Sequence, residues 1–153
     1  MGTAAYSIHG YFGGNSIARD FSHLIIGKRL GGGVSRDVYG MPPDNKFVLK
    51  FETGEGWFQN VAEWHIWQSV QHSPKYAKWF APCIEISPCG LVLVQKRTTP
   101  VIGDLPTHMP AFFTDFKPAN YGRIGKNVVA VDYGRNLLSQ TGLTKRMRKA
   151  DWS

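Results

Sequence analysis

Three prolines close together, Pro100, Pro106 and Pro110, constrain the middle of this chain more than any other feature. Each lacks a backbone N–H and clashes with the turn before it, so no long helix runs through 100–110. They separate a longer, regularly patterned first part from a shorter, more broken second part. The chain has 153 residues, the size of one domain. Folded chains of this length bury roughly two-thirds of their unfolded surface, enough for a core without disulfides or metals. Apolar residues at 42% and aromatics at 13% exclude a disordered chain.

The first part reads as strands around one helix. Residues 1–22 are rich in Gly and small polar residues without a period, and are expected to form an irregular arm. His23–Leu30 and Asp37–Met41 read as strands on either side of a Gly-rich turn. Pro42-Pro43-Asp44-Asn45 is a turn signal, followed by a strand Lys46–Glu52 with Phe47, Leu49 and Phe51 on one face. A helix is expected from about Trp57 to Val70, with Ala62, Ile66 and Val70 on one side and Glu63 and Trp67 beside them. A carboxylate on that stripe needs a cation, because an unpaired buried charge is too costly to keep. After a turn at Ser73-Pro74, Cys83–Ser87 and Leu91–Gln95 read as strands joined around Pro88-Cys89-Gly90, and the polar stretch Lys96–Thr99 closes this part. In the second part, Tyr121–Ile124 and Asn127–Val131 read as a hairpin around Gly125-Lys126. One helix is expected from Arg135, ending in the basic run Lys145–Lys149. The fold class is α+β.

Lys and Arg number 18 against 11 Asp and Glu, a net charge of +7 that suits an acidic partner: nucleic acid, a nucleotide or an acidic protein. The longest apolar runs, Leu91–Val94 and Val128–Val131, are far too short to span a bilayer, so no membrane role is expected. MGTAAYSIHG lacks the basic and apolar regions of a secretory signal, and Tyr6 stands where a myristoylation signal wants Ser or Thr. Cys83 and Cys89 match no zinc or redox spacing, which implies reduced thiols and a cytoplasmic location. The five histidines show no metal-ligand spacing. Trp57, Trp64, Trp67 and Trp79 read as packing residues rather than base-stacking platforms.

Four local signals occur in a fixed order. Leu30-Gly31-Gly32-Gly33-Val34-Ser35-Arg36-Asp37-Val38 lies between two strands, and Gly31 and Gly33 let backbone amides approach phosphate oxygens; a plain Gly-rich hairpin is the alternative. Lys50 ends Val48-Leu49-Lys50 and is either a snorkelling surface residue or the counter-charge of Glu63. Glu63, in turn, is either solvated or paired with Lys50. Thr114-Asp115-Phe116-Lys117-Pro118-Ala119-Asn120 forms a tight loop with a carboxylate, a cation and an amide. Asp132, in Val131-Asp132-Tyr133-Gly134, follows 12 residues after Asn120. Asn120 and Asp132 offer hard oxygen ligands of the kind that suit Mg²⁺ when phosphates supply the rest.

The ordered set resembles the protein kinase family. Gly31, Gly33 and Val38 match positions of its G-x-G-x-x-G-x-V loop, with Arg36 in place of the third glycine. Val48-Leu49-Lys50 resembles V-A-I-K, and Glu63 the glutamate that pairs with that lysine. Leu91–Gln95 resembles the strand before the hinge, where Gln95 to Arg97 would face adenine. Thr114–Asn120 is similar to R-D-L-x-x-x-N, and Val131–Gly134 to the strand ending in D-F-G. The resemblance implies a kinase-like fold: an N-lobe antiparallel sheet with one helix over 23–99, including the hinge, and a strongly reduced C-lobe over 100–153. It implies ATP and Mg²⁺ as cofactors, with Gly31, Gly33, Val38, Lys50 and Gln95 on the nucleotide and Asn120 and Asp132 on the metal. Asp115, Lys117, Lys50 and Glu63 would carry catalysis.

The departures matter as much. Phe113 and Thr114 replace the His and Arg of H-R-D. Only 17 residues separate Arg97 from Asp115, and 19 follow Gly134 without an A-P-E-like signal, so the long helices of the family's C-lobe have no room. Such economy of length suits a compact bacterial or phage protein. The leading expectation is an ATP-dependent phosphotransferase acting on a hydroxyl, Ser or Thr of a protein. One alternative is a pseudokinase that binds nucleotide or a target protein as a regulatory module. A basic nucleic-acid-associated protein, resting on Lys145–Lys149, is less favoured, and a solvated helix end explains that run equally well. A homodimer through the truncated lobe would cover its apolar face. Arg36 would either contact phosphates or decorate the surface.

Overall fold

The apolar alternation of Phe47, Leu49 and Phe51 forms the middle strand of a five-stranded antiparallel sheet. The computed structural model describes residues 16–54 and 58–153. The first part comprises α1 (Ser16–Ile25), β1 (Arg29–Gly32), β2 (Arg36–Gly40), β3 (Phe47–Glu52), α2 (Gln59–Val70), α3 (Pro74–Ala77), β4 (Cys83–Ile86) and β5 (Val92–Lys96). The sheet order is β1-β2-β3-β5-β4. The second part holds β6 (His108–Pro110), a 3-10 turn (Pro118–Asn120), β7 (Tyr121–Ile124), β8 (Asn127–Ala130), α4 (Leu138–Thr141) and β9 (Met147–Lys149). Here β7 pairs with β8 and β6 with β9, both antiparallel. The molecule is thus mixed α+β with an antiparallel sheet and few helices. Among the described residues no helix is long and apolar enough to cross a membrane.

Three expectations are corrected. Residues 16–22, expected in an irregular arm, are helical, and residues 1–15 lie outside the described residues. The strand expected over His23–Leu30 begins only at Arg29, because His23–Ile25 finish α1. Ile17, Phe21 and Leu24 recur at helical spacing, and the glycine-rich composition before them hid that period. The single helix expected from Arg135 is instead one turn, α4, stopped at Gly142 with φ 62°, followed by strand β9. Here a tertiary partner decides: β6 offers an edge, and hydrogen bonds from Ala111 N to Arg146 O and from Ala150 N to Thr107 O flank the ladder at 2.9 Å each. The end of the basic run Lys145–Lys149, Met147–Lys149, is therefore strand, not a solvated helix end. Trp57, expected to open the long helix, lies outside the described residues, and Ser73-Pro74 leads into α3 rather than a bare turn.

One aromatic cluster joins the two parts. Phe80, Phe112, Phe113, Phe116, Tyr121 and Tyr133 are all buried, together with Val70 and Leu93 from the first part. The Phe80 ring meets Tyr133 at 5.0 Å and Phe113 at 5.3 Å between centroids. Burying each such side chain contributes about 1.5–3 kcal/mol, so this cluster holds the second part on the sheet. A smaller cluster of Ile26, Tyr39, Leu49 and Phe51 covers the other face of the sheet.

Candidate functional site

Strand alternation puts Lys50 on the opposite face of β3 from Leu49 and Phe51, toward α2. In the sheet register Gly31 faces Val38 and Val38 faces Lys50, so these three predicted residues form one row. Directly opposed residues on antiparallel strands point to the same face. Arg36 and Glu52 form the next pair on that same face, two residues along β2 and β3. A Cβ at Gly31 or Gly33 would meet nothing within 4 Å, whereas one at Gly32 would come within 2.4 Å of both Arg29 Nη2 and Asp37 Oδ1. Packing therefore explains Gly32 but not Gly31 or Gly33, whose faces stay open.

Glu63 on α2 is completely buried and collects the charges of the site. Its Oε2 accepts from Lys50 Nζ at 2.9 Å, and its Oε1 accepts from Arg36 Nη2 at 2.7 Å and from the Tyr133 backbone N–H at 3.1 Å. The same Arg36 Nη2 reaches Asp132 Oδ1 at 2.7 Å, and Arg36 Nη1 donates to Asn60 Oδ1 at 3.3 Å. Lys50 Nζ also donates to the Val131 carbonyl. Asn60 ties the strands in, donating through Nδ2 to Lys50 O at 2.9 Å and Gly90 O at 3.1 Å. The β7–β8 hairpin returns the chain so that Val131 N and Asp132 N donate to Asn120 O at 2.9 and 3.2 Å. Residues far apart in sequence, 36, 50, 63, 120 and 132, are thereby linked.

The electrostatics follow from burial and partners. Burial alone would raise the Glu63 carboxyl, but Lys50 and Arg36 outweigh it and hold it down to about 2. Burial pushes the Lys50 ammonium down, with Glu63 opposing and Arg36 adding to the fall. For Arg36 burial is again the largest influence and a lowering one, yet Glu63 and Asp132 overcome it and raise its pKa. The Asp132 carboxyl is raised, first by burial and then by Glu63, against Arg36 and Lys50. Its side chain is still 51% exposed.

The remaining predicted residues sit differently. Asp115 and Lys117 flank buried Phe116, so alternation turns both outward, with Lys117 Nζ 3.9 Å from Asp115 Oδ2. Burial and the Asp115 charge both raise the Tyr121 phenol. Gln95 is 1% exposed, and its Nε2 lies 3.9 Å from Cys83 Sγ, so its side chain packs inside rather than lining an open face. Val38 is half-buried in the row with Lys50. Cys83 is a buried thiol pushed up to about 11, chiefly by burial, with Sγ 3.0 Å from the Tyr133 hydroxyl. Cys89 is exposed, and neither cysteine is paired. A depression of about 340 Å³ between Trp79, Asp104, Arg123 and Lys126 lies apart from all of these residues.

The donors expected for Mg²⁺ would be the Asp132 carboxylate, on an exposed residue, and the Asn120 amide, on a half-buried one. These hard oxygens fit the ion once phosphates complete its shell. Among the described residues no group of three or more His, Cys, Asp or Glu could hold a metal by itself. The sequence reading missed Asn60, which sits one helical turn before Glu63. It also left Arg36 undecided between phosphate contact and surface. The structure gives neither: Arg36 is 6% exposed and bound to two carboxylates. Its two-residue spacing from Val38 was the usable signal, since it places Arg36 on the face of Lys50.

No protein-family model matches the chain, and no curated protein matches it.

Proposed function

We propose that this chain is a minimal kinase-like phosphotransferase that moves the γ-phosphoryl group of ATP to a hydroxyl, Ser or Thr of a protein. The observation that carries the reading is the buried Lys50–Glu63 pair, at 2.9 Å, bonded through the Val131 carbonyl and the Tyr133 amide to the segment that sets Asp132 beside Asn120. A merely structural ion pair has no need to converge with a half-exposed carboxylate and an open glycine row.

In this reading the Gly31–Gly33 backbone and Lys50 hold phosphate oxygens, and Glu63 fixes the Lys50 ammonium. Asp132 and Asn120 hold Mg²⁺, which neutralises phosphate charge when bound. Asp115 accepts the proton of the attacking hydroxyl as the new O–P bond forms. The bond from the γ-phosphorus to the bridging oxygen breaks, and ADP leaves with that electron pair. Lys117, beside Asp115, offsets charge on the transferring group. Such catalysis is mostly positioning and charge neutralisation. Asp115→Ala is expected to abolish transfer from labelled ATP while leaving nucleotide affinity within about twofold; transfer that survives in this variant rejects the role of Asp115.

A second reading, a nucleotide-binding or protein-binding regulatory module without transfer, is favoured by one observation: Arg36 occupies Asp132 Oδ1 at 2.7 Å. Thermal-shift titration with Mg²⁺-ATP followed by the transfer assay separates the two. Binding without transfer supports the second reading, and transfer rejects it.

A further inference from the structure

Arg36 is a buried cation of the site that the phosphotransferase reading leaves without a task. Its Nη2 bridges Glu63 Oε1 and Asp132 Oδ1 at 2.7 Å each, so it holds the carboxylate that a divalent cation would need. A guanidinium stays protonated at any working pH, so Arg36 does not release this contact by losing a proton of its own. A metal on Asp132 displaces it, and Arg36 and Lys50 are then two buried cations sharing the one carboxylate of Glu63, so a second carboxylate is called for.

The structure provides one. Glu52 stands directly opposite Arg36 in the β2–β3 register, which brings their Cβ atoms to about 4.5–5.5 Å on the same face of the sheet. Glu52 Oε1 accepts from Asn60 N at 2.6 Å, while Oε2 is buried without a partner, the single buried side-chain nitrogen or oxygen so left among the described residues. An orphaned carboxylate oxygen inside a protein is costly and calls for an explanation. Asn60 touches both sides: it accepts from Arg36 Nη1 at 3.3 Å and donates to Glu52.

We propose that Arg36 is a cation with two seats, on Asp132 when no divalent metal is present and on Glu52 Oε2 when a metal takes Asp132. This regulation of the proposed site rests on the phosphotransferase reading for its purpose but not for its geometry. Arg36 keeps Glu63 in both positions, so the move leaves Lys50 and Glu63 paired and satisfies the orphaned oxygen of Glu52. The metal and Arg36 compete for one carboxylate, which makes metal binding weaker than the donor set alone would give. The competition is reciprocal, as coupling between sites must be.

The test is titration of the full chain with Mn²⁺ alone, read as loss of the free-ion paramagnetic signal, and then with Mn²⁺ plus a non-hydrolysable ATP analogue. Wild type is compared with Arg36→Met and Glu52→Gln. Removing the competitor in Arg36→Met is expected to tighten Mn²⁺ binding about tenfold. Removing the charge of the second seat in Glu52→Gln is expected to weaken it several-fold, although Glu52 touches neither Asp132 nor the metal. Glu52→Gln keeps an acceptor for Asn60 N, so it decides the matter even if Arg36→Met fails to fold. Mn²⁺ binding that is unchanged in Glu52→Gln, no tighter in a folded Arg36→Met, or absent from all three proteins both with and without the analogue overturns the proposal. The nucleotide arm reads separately: the expected Mn²⁺ pattern with no analogue bound at any metal concentration rejects the phosphotransferase reading and leaves the two seats standing.

Discussion

Glu63 holds two cations and a backbone amide with two oxygens, and among the described residues no other carboxylate is paired with Lys50. Replacing it leaves both cations buried with too little negative charge, so Glu63→Gln is expected to cost about 3–5 kcal/mol in urea unfolding at neutral pH. The pH dependence has a definite sign. The folded carboxyl sits at about 2 against an ordinary 4.5, so between these values the unfolded chain binds more protons and stability rises with pH. The contribution of Glu63 is complete above pH 4.5 and is lost as pH falls toward 2. Asp132 works in the opposite sense, because its raised pKa lets the folded state take a proton more readily. Unfolding measured from pH 6 downward should therefore show an acid-labile component in wild type that Glu63→Gln lacks. An identical acid profile in the two proteins would contradict the assignment. At this scale the pairing was legible from sequence, since Glu63 on an apolar stripe demands a cation and Lys50 follows two apolar residues. The place of Arg36 was not, because a strand position names a face and not the partner across it.

Among elements, the β1–β2 hairpin separates glycines that packing needs from glycines it does not. Gly32 faces Arg29 and Asp37, whereas Gly31 and Gly33 face open space with φ outside the left-handed region. Ala at 31 or 33 should leave stability within about 0.5 kcal/mol, since no atom must move and the backbone is one that Ala adopts. On the proposed function each change is nevertheless expected to weaken ATP binding about tenfold, because the added methyl would stand where phosphate oxygens are proposed to approach. Calorimetric titration with Mg²⁺-ATP, together with melting curves, checks both halves of the claim; unweakened binding in both variants would remove the hairpin from the site. Elements with their own period, β3, α2 and the β7–β8 hairpin, were readable because local pattern and final structure agree. α1 was lost in glycine-rich surroundings. β9 was unreadable for a deeper reason: Met147–Lys149 becomes a strand only because His108–Pro110, far away in sequence, presents an edge.

At the scale of the whole molecule, the C-terminal segment braces the second part through its aromatic core. Trp152 packs against Tyr121 at 4.9 Å and Phe116 at 5.5 Å between ring centroids, and its Nε1 donates to Pro106 O at 2.8 Å. Arg148 lies over the Phe116 ring at 5.6 Å. Phe116 separates Asp115 from Lys117, so what grips this ring sets where those two exposed side chains stand. The Gly31–Val38–Lys50 row on the sheet draws its order from other contacts, those of Glu63 and Asn60 with β2 and β3. Two parts of one site are thus held by different means, and one change should separate them. Trp152→Ala is expected to destabilise the fold by about 2–3 kcal/mol, at the low end for a large aromatic because this one is only half-buried. It should lower the transfer rate at least about tenfold while nucleotide affinity stays within about twofold, since a small displacement of a reacting group costs far more in rate than in binding. Trp152→Phe, which keeps the ring contacts and loses only the bond to Pro106, should recover most of the rate. A fall in nucleotide affinity as large as the fall in rate would show instead that the C-terminal segment supports the molecule uniformly, and that the loop of Asp115 has no separate hold.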